Sequence, residues 1–237
     1  MAQGYSRVLV IPDTHAPFQH KDAWIFLKAV KDKYKPDHVI HLGDEIEGAS
    51  LNFHEKSPDA LFTPTMELCE AIVQLQPLYE LFENVVVLES NHGSLLYRRA
   101  KFGGIPKSVL KSYREVLEAP PGWEWKYEYF CKFSNGRLGY FHHGHTGNVL
   151  ANSQKRAMNY CMGHHHSLFE IRWWNNGMKL YWSVSSGCLI DIDALCFEYG
   201  KNSLGKPMLG CTMILNGIPM LIPMLLNKQK RWTGKIL

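Results

Sequence analysis

RVLVIPDTH, residues 7–15, decides how this chain folds. Val8, Leu9, Val10 and Ile11 form an unbroken apolar run, mostly β-branched, that stops at Pro12 and gives way to Asp13, Thr14 and His15. A short continuous run of this kind suits a strand buried on both faces, because a half-exposed strand would alternate apolar with polar. The design recurs in DHVIHLGDE (37–45), NVVVLESNHG (84–93), LGYFHHGH (138–145) and NYCMGHHH (159–166). Each run ends in residues able to ligate a metal.

Between the early runs lie helical patterns. KDAWIFLKAVKDKYK (21–35) is one, and TPTMELCEAIVQLQPLYELFEN (63–84) is the other, with Leu68, Ile72, Leu75, Tyr79 and Phe82 spaced by three and four. Pro64 falls where a first helical turn accepts proline, and Pro77 is expected to kink the later turns. Strand, helix, strand, helix, strand implies a parallel βαβ core. The later runs KLYWSVSSG (179–187) and PMLGCTMILNGIPMLIPMLLN (207–227) have no helix between them, so a second, more antiparallel part is expected. The second of these is uncharged and near spanning length, but Asn216-Gly217 at its centre marks a two-residue hairpin turn. Pro219 and Pro223, four apart, direct their missing N–H groups to one side of that hairpin, as an outer edge tolerates. A terminal β-hairpin is expected, and no membrane span.

Composition bounds the rest. Of 237 residues, 46% are hydrophobic and 20% charged, the balance of a globular protein with a real core, and one domain over 1–237 is expected. A net charge of +4 is too mild to imply a nucleic-acid partner by itself. Six cysteines without a CxxC pair read as reduced thiols, and the N-terminus has no apolar run long enough for a secretory signal, so a cytoplasmic location is expected. Oligomeric state does not follow from any of these features.

In open α/β sheets, ligand sites gather at the carboxyl ends of strands. Each polar cluster sits at such an end: Asp13 and His15, Asp44, Asn91 and His92, His143, and His164 with His166. Singly, each is more often a turn or a loop than a site. In order, along consecutive strand ends, they are specific.

These five blocks resemble the calcineurin-like metallophosphoesterase pattern D-x-H, G-D, G-N-H-[D/E], H-G-H and G-H-x-H. Here they read DTH (13–15), GD (43–44), SNHG (90–93), HGH (143–145) and GHHH (163–166). The resemblance implies an α/β protein with the calcineurin-like phosphoesterase fold, a four-layer α/β/β/α sandwich with mixed sheets. It implies one divalent metal on Asp13, His15, Asp44 and His166, and a second on Asp44, Asn91, His143 and His164, with Asp44 bridging. The implied reaction is phosphate-ester hydrolysis by a hydroxide bridging the two cations, with His92 as general acid or charge stabiliser at the scissile phosphate. Oxygen and imidazole ligands without thiolate favour manganese, iron, nickel or zinc over copper(I) or iron–sulfur clusters; ligand type does not choose among the four, and manganese is the metal expected. Two positions depart from the pattern: Ser90 replaces glycine, and Gly93 replaces the acid after histidine. Glu45 or Glu47 could supply a substitute carboxylate.

Alternation in an extended segment would put His164 and His166 on one side and turn His165 away. His145, next to His143, would contact phosphate or support a ligand. His41 and His142 read as packed residues, and His20, His38 and His54 as surface or loop positions, with His54 the one to test for substrate contact. The stretch YRRAKFGGIPKSVLKSYR (97–114) carries Arg98, Arg99, Lys101, Lys107, Lys111 and Arg114 with no acid. Lying just after Asn91 and His92, it could bind a nucleotide or nucleic-acid phosphate through Arg98 and Arg99, or be a solvated face. Lys155 and Arg156 could add to it. WEWKYEY (123–129) either stacks a base or forms one face of a core strand. The segment GDEIEGAS (43–50) lacks the arginine that the family's protein phosphatases carry there. The resulting expectation is a phosphoesterase for a nucleotide or nucleic acid, with another small organic phosphate as the alternative substrate. A non-catalytic metal-binding interaction module ranks lower, because all seven ligand positions are filled.

Overall fold

The computed structural model describes residues 4–51, 63–144, 147–194 and 206–236. In chain order the main elements are β1 (Arg7–Ile11), α1 (Ala23–Tyr34), β2 (His38–His41), α2 (Pro64–Leu81), β3 (Val85–Leu88), α3 (Leu95–Phe102), α4 (Tyr113–Val116) and β4 (Trp123–Lys126). There follow β5 (Tyr129–Lys132), β6 (Leu138–Phe141), α5 (Val149–Arg156), β7 (Asn159–Met162), β8 (Phe169–Asn175), β9 (Leu180–Ser186), β10 (Gly210–Leu215) and β11 (Ile218–Pro223).

The strands form two mixed sheets. One has the order β11-β10-β1-β2-β3-β4, the other β5-β6-β7-β9-β8. In the first, β1 to β4 run parallel while β10 and β11 are antiparallel. In the second, β6, β7 and β9 are parallel between two antiparallel edges. The five apolar runs are thus divided, three to the first sheet and two to the second.

Side-chain alternation on β1 shows how the layers stack. Leu9 and Ile11 point toward α1 and α2, packing with Phe26, Leu27, Val30, Leu75 and Leu78. Val8 and Val10 point the other way, into a layer shared with Phe141, Cys161, Trp182 and Val184 of the second sheet. Val8, Leu9, Val10 and Ile11 are all fully buried, as a continuous apolar run requires. Burial of side chains this size contributes about 1.5–3 kcal/mol each. Beyond the second sheet, Tyr140, Tyr160 and Met162 pack with Val149 of α5. The order of layers is therefore helices, sheet, sheet, helix.

Local signals account for the element ends. Thr63 caps α2 by accepting a hydrogen bond from the Met66 N–H at 3.3 Å, and Pro64 occupies the first turn. Pro77 lies inside α2, which continues to Leu81. Asn216 and Gly217 both take positive φ, 48° and 79°, and join β10 to β11. Pro219 and Pro223 lie on β11, the edge strand, as the missing N–H groups demand.

Two expectations change here. The terminal hairpin does not belong to a separate antiparallel part: β10 pairs with β1 from Arg7↔Leu215 to Val10↔Thr212 and extends the first sheet. WEWKYEY is not one strand but the crossing between sheets, with Trp123 and Trp125 on β4 and Tyr129 on β5. Alternation describes one strand's faces and carries no information about which sheet a strand joins. Among the described residues, no helix is long and apolar enough to cross a membrane.

Candidate metal centre

The loops after β1, β2 and β3 interlock through their backbones before any side chain is considered. Thr14 and His15 donate their N–H groups to the Asp44 carbonyl at 3.1 and 2.8 Å, and Ala16 donates to the Glu45 carbonyl at 2.9 Å. The Ser90 hydroxyl accepts the Asp44 N–H at 2.8 Å and the Gly93 N–H at 3.1 Å. The serine that departs from the family pattern thus ties the second loop to the third. His92 N–H in turn donates to Asp44 Oδ1 at 3.0 Å.

On this base, Asp13, His15, Asp44 and His143 are almost wholly buried, while Asn91, His92, His164 and His166 form a half-buried rim. Asp13, His15, Asp44 and His166 bring one donor atom each to within 4.8 Å of one another. His15 Nε2 and His166 Nε2 stand 3.1 Å apart, and His166 Nε2 is 3.3 Å from Asp13 Oδ2. Asp44, His143 and His164 form a second such group. Asn91 Oδ1 joins it, 2.7 Å from His143 Nε2 and 3.1 Å from His164 Nδ1. Asp44 belongs to both groups.

His164 reaches the site by a turn rather than by strand alternation, which corrects the expectation for GHHH. Its φ is 68°, and the His165 N–H bonds back to the Gly163 carbonyl at 2.8 Å, closing a three-residue turn around it. The His164 N–H is thereby aimed at Asp13 Oδ2, 2.8 Å away. A side chain at Gly163 would lie 2.2 Å from Asp13 Oδ1, so only glycine lets the carboxylate approach. The His165 ring turns to pack beside Gly147. His15 and Asp44 also hold positive φ, 51° and 49°. Non-glycine residues in this region cost energy and persist where the surrounding structure over-determines them, commonly at functional sites.

Tautomers and charge follow from the partners. His143 Nδ1 donates to the Leu42 carbonyl at 2.8 Å, leaving Nε2 to face Asn91 and Asp44. Burial lowers the pKa values of His15 and His164, the latter to about 4, so both are neutral near pH 7. For His143, burial acts against the charged form, but the Asp44 and Asp13 carboxylates outweigh it and raise its pKa to about 9. Asp44 is buried, which disfavours ionisation, yet His143 and His92 hold its pKa well below the usual range.

His92 Nδ1 donates to the Glu47 carbonyl at 2.6 Å, which fixes the ring and leaves Nε2 as the nitrogen able to hand over a proton. Burial opposes its protonation, and Asp44 and Glu47 overcome that effect to raise its pKa. Glu47 also binds His15 Nδ1 through Oε2 at 2.5 Å. One buried glutamate therefore orients both a candidate ligand and the candidate acid. Glu45 fills the space that the family's acid would occupy at position 93: a side chain on Gly93 would meet Glu45 Oε1 at 3.1 Å. Burial raises the Glu45 pKa to about 7, and Trp125 Nε1 donates to its Oε1 at 3.0 Å.

The remaining candidates are spread more widely. Arg98 donates to the Asn91 carbonyl at 2.7 Å, and Arg99 Nε donates to the Leu51 carbonyl at 2.7 Å. His54 and His145 lie outside the described residues. His41 is packed and satisfied, bonding Thr14 Oγ1 and the Gly43 N–H, and His142 accepts the Gly144 N–H at 2.9 Å. His20 keeps the loop position expected of it, whereas His38 lies on a strand and corrects the expectation. His20 is buried and bonds the Lys230 carbonyl at 3.0 Å, while His38 opens β2 and stacks on Tyr5 with centroids 4.0 Å apart. Those contacts are with distant parts of the chain. The organising role of Ser90 was not foreseen; its only sequence signal was the departure from glycine.

The donors fit divalent cations. Asp13 Oδ1 is buried with no hydrogen-bond partner, and the Nε2 atoms of His15 and His166 converge 3.1 Å apart beside the Asp13 and Asp44 carboxylates. A cation among them would satisfy these atoms together.

The calcineurin-like phosphoesterase family model matches residues 6–198. Among solved structures, Vps29 from Chaetomium thermophilum is similar over 98% of this chain and 95% of its own, at 11% identity and a TM-score of 0.48. Vacuolar Protein Sorting 29 from Cryptosporidium parvum covers 99% and 96%, at 12% identity and 0.48. YfcE, a phosphoesterase from E. coli, covers 96% of each chain at 13% identity and 0.44. No curated protein matches the sequence. With the family model spanning most of the chain, and its motifs falling on the loops that build the site, this protein belongs to the calcineurin-like phosphoesterase family.

Proposed function

We propose that this chain, as one domain over residues 1–237, hydrolyses phosphate esters with two divalent cations. Asp13, His15, Asp44 and His166 hold one, and Asp44, Asn91, His143 and His164 hold the other. The observation that carries this reading is the pair of donor groups sharing the buried Asp44. Two such cations supply Lewis acidity at the phosphoryl oxygens and a nucleophile at neutral pH. Water's oxygen bonds to phosphorus and releases its proton to solvent as the bond to the ester oxygen breaks. The electron pair goes to that oxygen, and a proton from His92 Nε2 completes the alcohol. Glu47 supports this role by holding His92 Nδ1. Manganese is the metal we favour, with iron, zinc and nickel suited to the same donors. A cytoplasmic location accords with the free thiols among the described cysteines.

Two surfaces favour two substrate classes. Arg98, Lys101, Lys107, Lys111 and Arg114 are exposed on the segment that follows Asn91 and His92, and this supports a nucleotide or nucleic acid. A second reading, another small organic phosphate, is favoured by an apolar cavity that touches His92. The test is hydrolysis of paired chromogenic mono- and diesters, nucleoside monophosphates and single-stranded DNA by metal-stripped protein, with and without manganese. Manganese-dependent release is expected. Absence of turnover with two cations bound would overturn the enzyme in favour of a non-catalytic module.

A further inference from the structure

We infer that the apolar cavity beside His92 is the subsite for the leaving alcohol, and that it selects esters of small apolar alcohols. The inference rests on the phosphoesterase reading above and chooses between its two substrate classes. The cavity, about 230 Å³, lies between the first half of α2 and the segments α3 and α4. Leu68, Ile72, Leu96, Val116 and Leu117 line it, and it reaches His92 and Gly93 at one end. A phosphate seated over the donor groups presents its leaving oxygen to His92, so whatever that oxygen carries continues past the ring into this space.

The chemistry of the wall decides what fits. Both carboxylate oxygens of Glu67 accept backbone N–H groups, from Ala49 and Ser50 at 2.7 Å each. The Tyr97 hydroxyl donates to the Lys111 carbonyl at 2.6 Å. These wall polar groups already have partners, so a nucleobase inserted here would bury its polar edges against hydrocarbon, which is costly. An alkyl or phenyl group loses nothing. The volume is below the roughly 300–1,000 Å³ of sites for drug-sized ligands, which points to a small group. The basic segment remains useful in this reading, because any phosphate ester is anionic.

The test uses the full chain loaded with manganese and a series of methyl, butyl, hexyl and phenyl phosphates beside nucleoside 5′-monophosphates. We expect kcat/KM to rise about fourfold per buried methylene until the cavity is full, with the nucleotides below hexyl phosphate. Leu68→Trp, at a half-buried position, fills the cavity and should flatten that dependence on chain length; Ile72→Trp is the second variant if the first does not fold. Rates independent of chain length, or nucleotides preferred over every alkyl ester, would overturn the inference. If no ester is hydrolysed, calorimetry with hexylphosphonate and methylphosphonate separates the two claims. Tighter binding of the hexyl compound keeps the cavity assignment while the catalytic reading falls; equal binding removes both.

Discussion

The two sheets bring different chemistry to one place. The loops after β1, β2 and β3 of the first sheet carry the carboxylates Asp13 and Asp44, the Asn91 amide and the imidazoles of His15 and His92. The loops after β6 and β7 of the second sheet carry only the imidazoles of His143, His164 and His166. Negative charge is thus confined to one side, and the other contributes imidazoles alone. The sides already meet through polar bonds: His164 N–H reaches Asp13, and His143 Nδ1 reaches the Leu42 carbonyl. A cation between them would be held by charge from one sheet and by lone pairs from the other. Metal binding should therefore tie the sheets together at these strand ends, above the apolar layer that packs them elsewhere.

The hardest blow to this division is Asp44→Asn, which removes charge from the one residue in both donor groups. Metal content measured by mass spectrometry and turnover should fall together, by more than the 10–100-fold that loss of a ligand's supporting partner typically costs. Normal occupancy with normal turnover would refute the bridge. A smaller and separable effect is expected for His92→Ala: turnover lower by about 10²–10⁴-fold with metal content intact. Loss of metal in that variant would move His92 from the acid's role to a ligand's.

Glu47→Gln sharpens the comparison within the first sheet. Glu47 bonds His15 Nδ1 and holds His92 by its carbonyl, so metal affinity should weaken about 10–100-fold while the main-chain hold on His92 survives. Glu45→Gln, which alters a carboxyl bonded to Trp125, should leave metal affinity unchanged. Titration of both variants with manganese checks the contrast; equal losses would mean that the two glutamates act alike.

The smallest effect serves as a control outside the donor groups. Asp22 at the start of α1 accepts from Arg231 Nε at 2.7 Å and from the Trp232 N–H, and the arginine holds its pKa at about 2. A carboxylate with a depressed folded pKa contributes stability above its unfolded value and loses it as pH falls through the folded one. Acid melts should therefore show stability declining from about pH 4 toward pH 2. Arg231→Ala should weaken that decline only slightly, because the exposed arginine is screened by solvent. A change in manganese affinity in this variant would show that the tail and the site are coupled.

Much of this division could be read in advance, and the reasons are local. The runs at 7–11, 38–41 and 85–88 declare buried strands because every residue they bury is apolar or β-branched, apart from the histidines that flank β2. Asn216-Gly217 declares its turn because few other dipeptides accept positive φ at both positions. The types of the candidate ligands followed from the resemblance in motif order. What stayed hidden depends on contacts between distant residues. No local pattern assigns β6 and β7 to a second sheet, turns His164 by a left-handed backbone, or tells that His20 lies under Lys230. Glu45 and Glu47 were visible as spare carboxylates, but only the fold shows one beside Gly93 and the other on His15 and His92.

The central claim is that two cations share Asp44 between the carboxylate side and the imidazole side. Diffraction from manganese-soaked crystals, with data collected to reveal the metal's anomalous signal, tests it most directly. The expected result is two peaks roughly 3.5–4 Å apart with Asp44 between them. A single peak, or two peaks with Asp44 ligating only one, would contradict it.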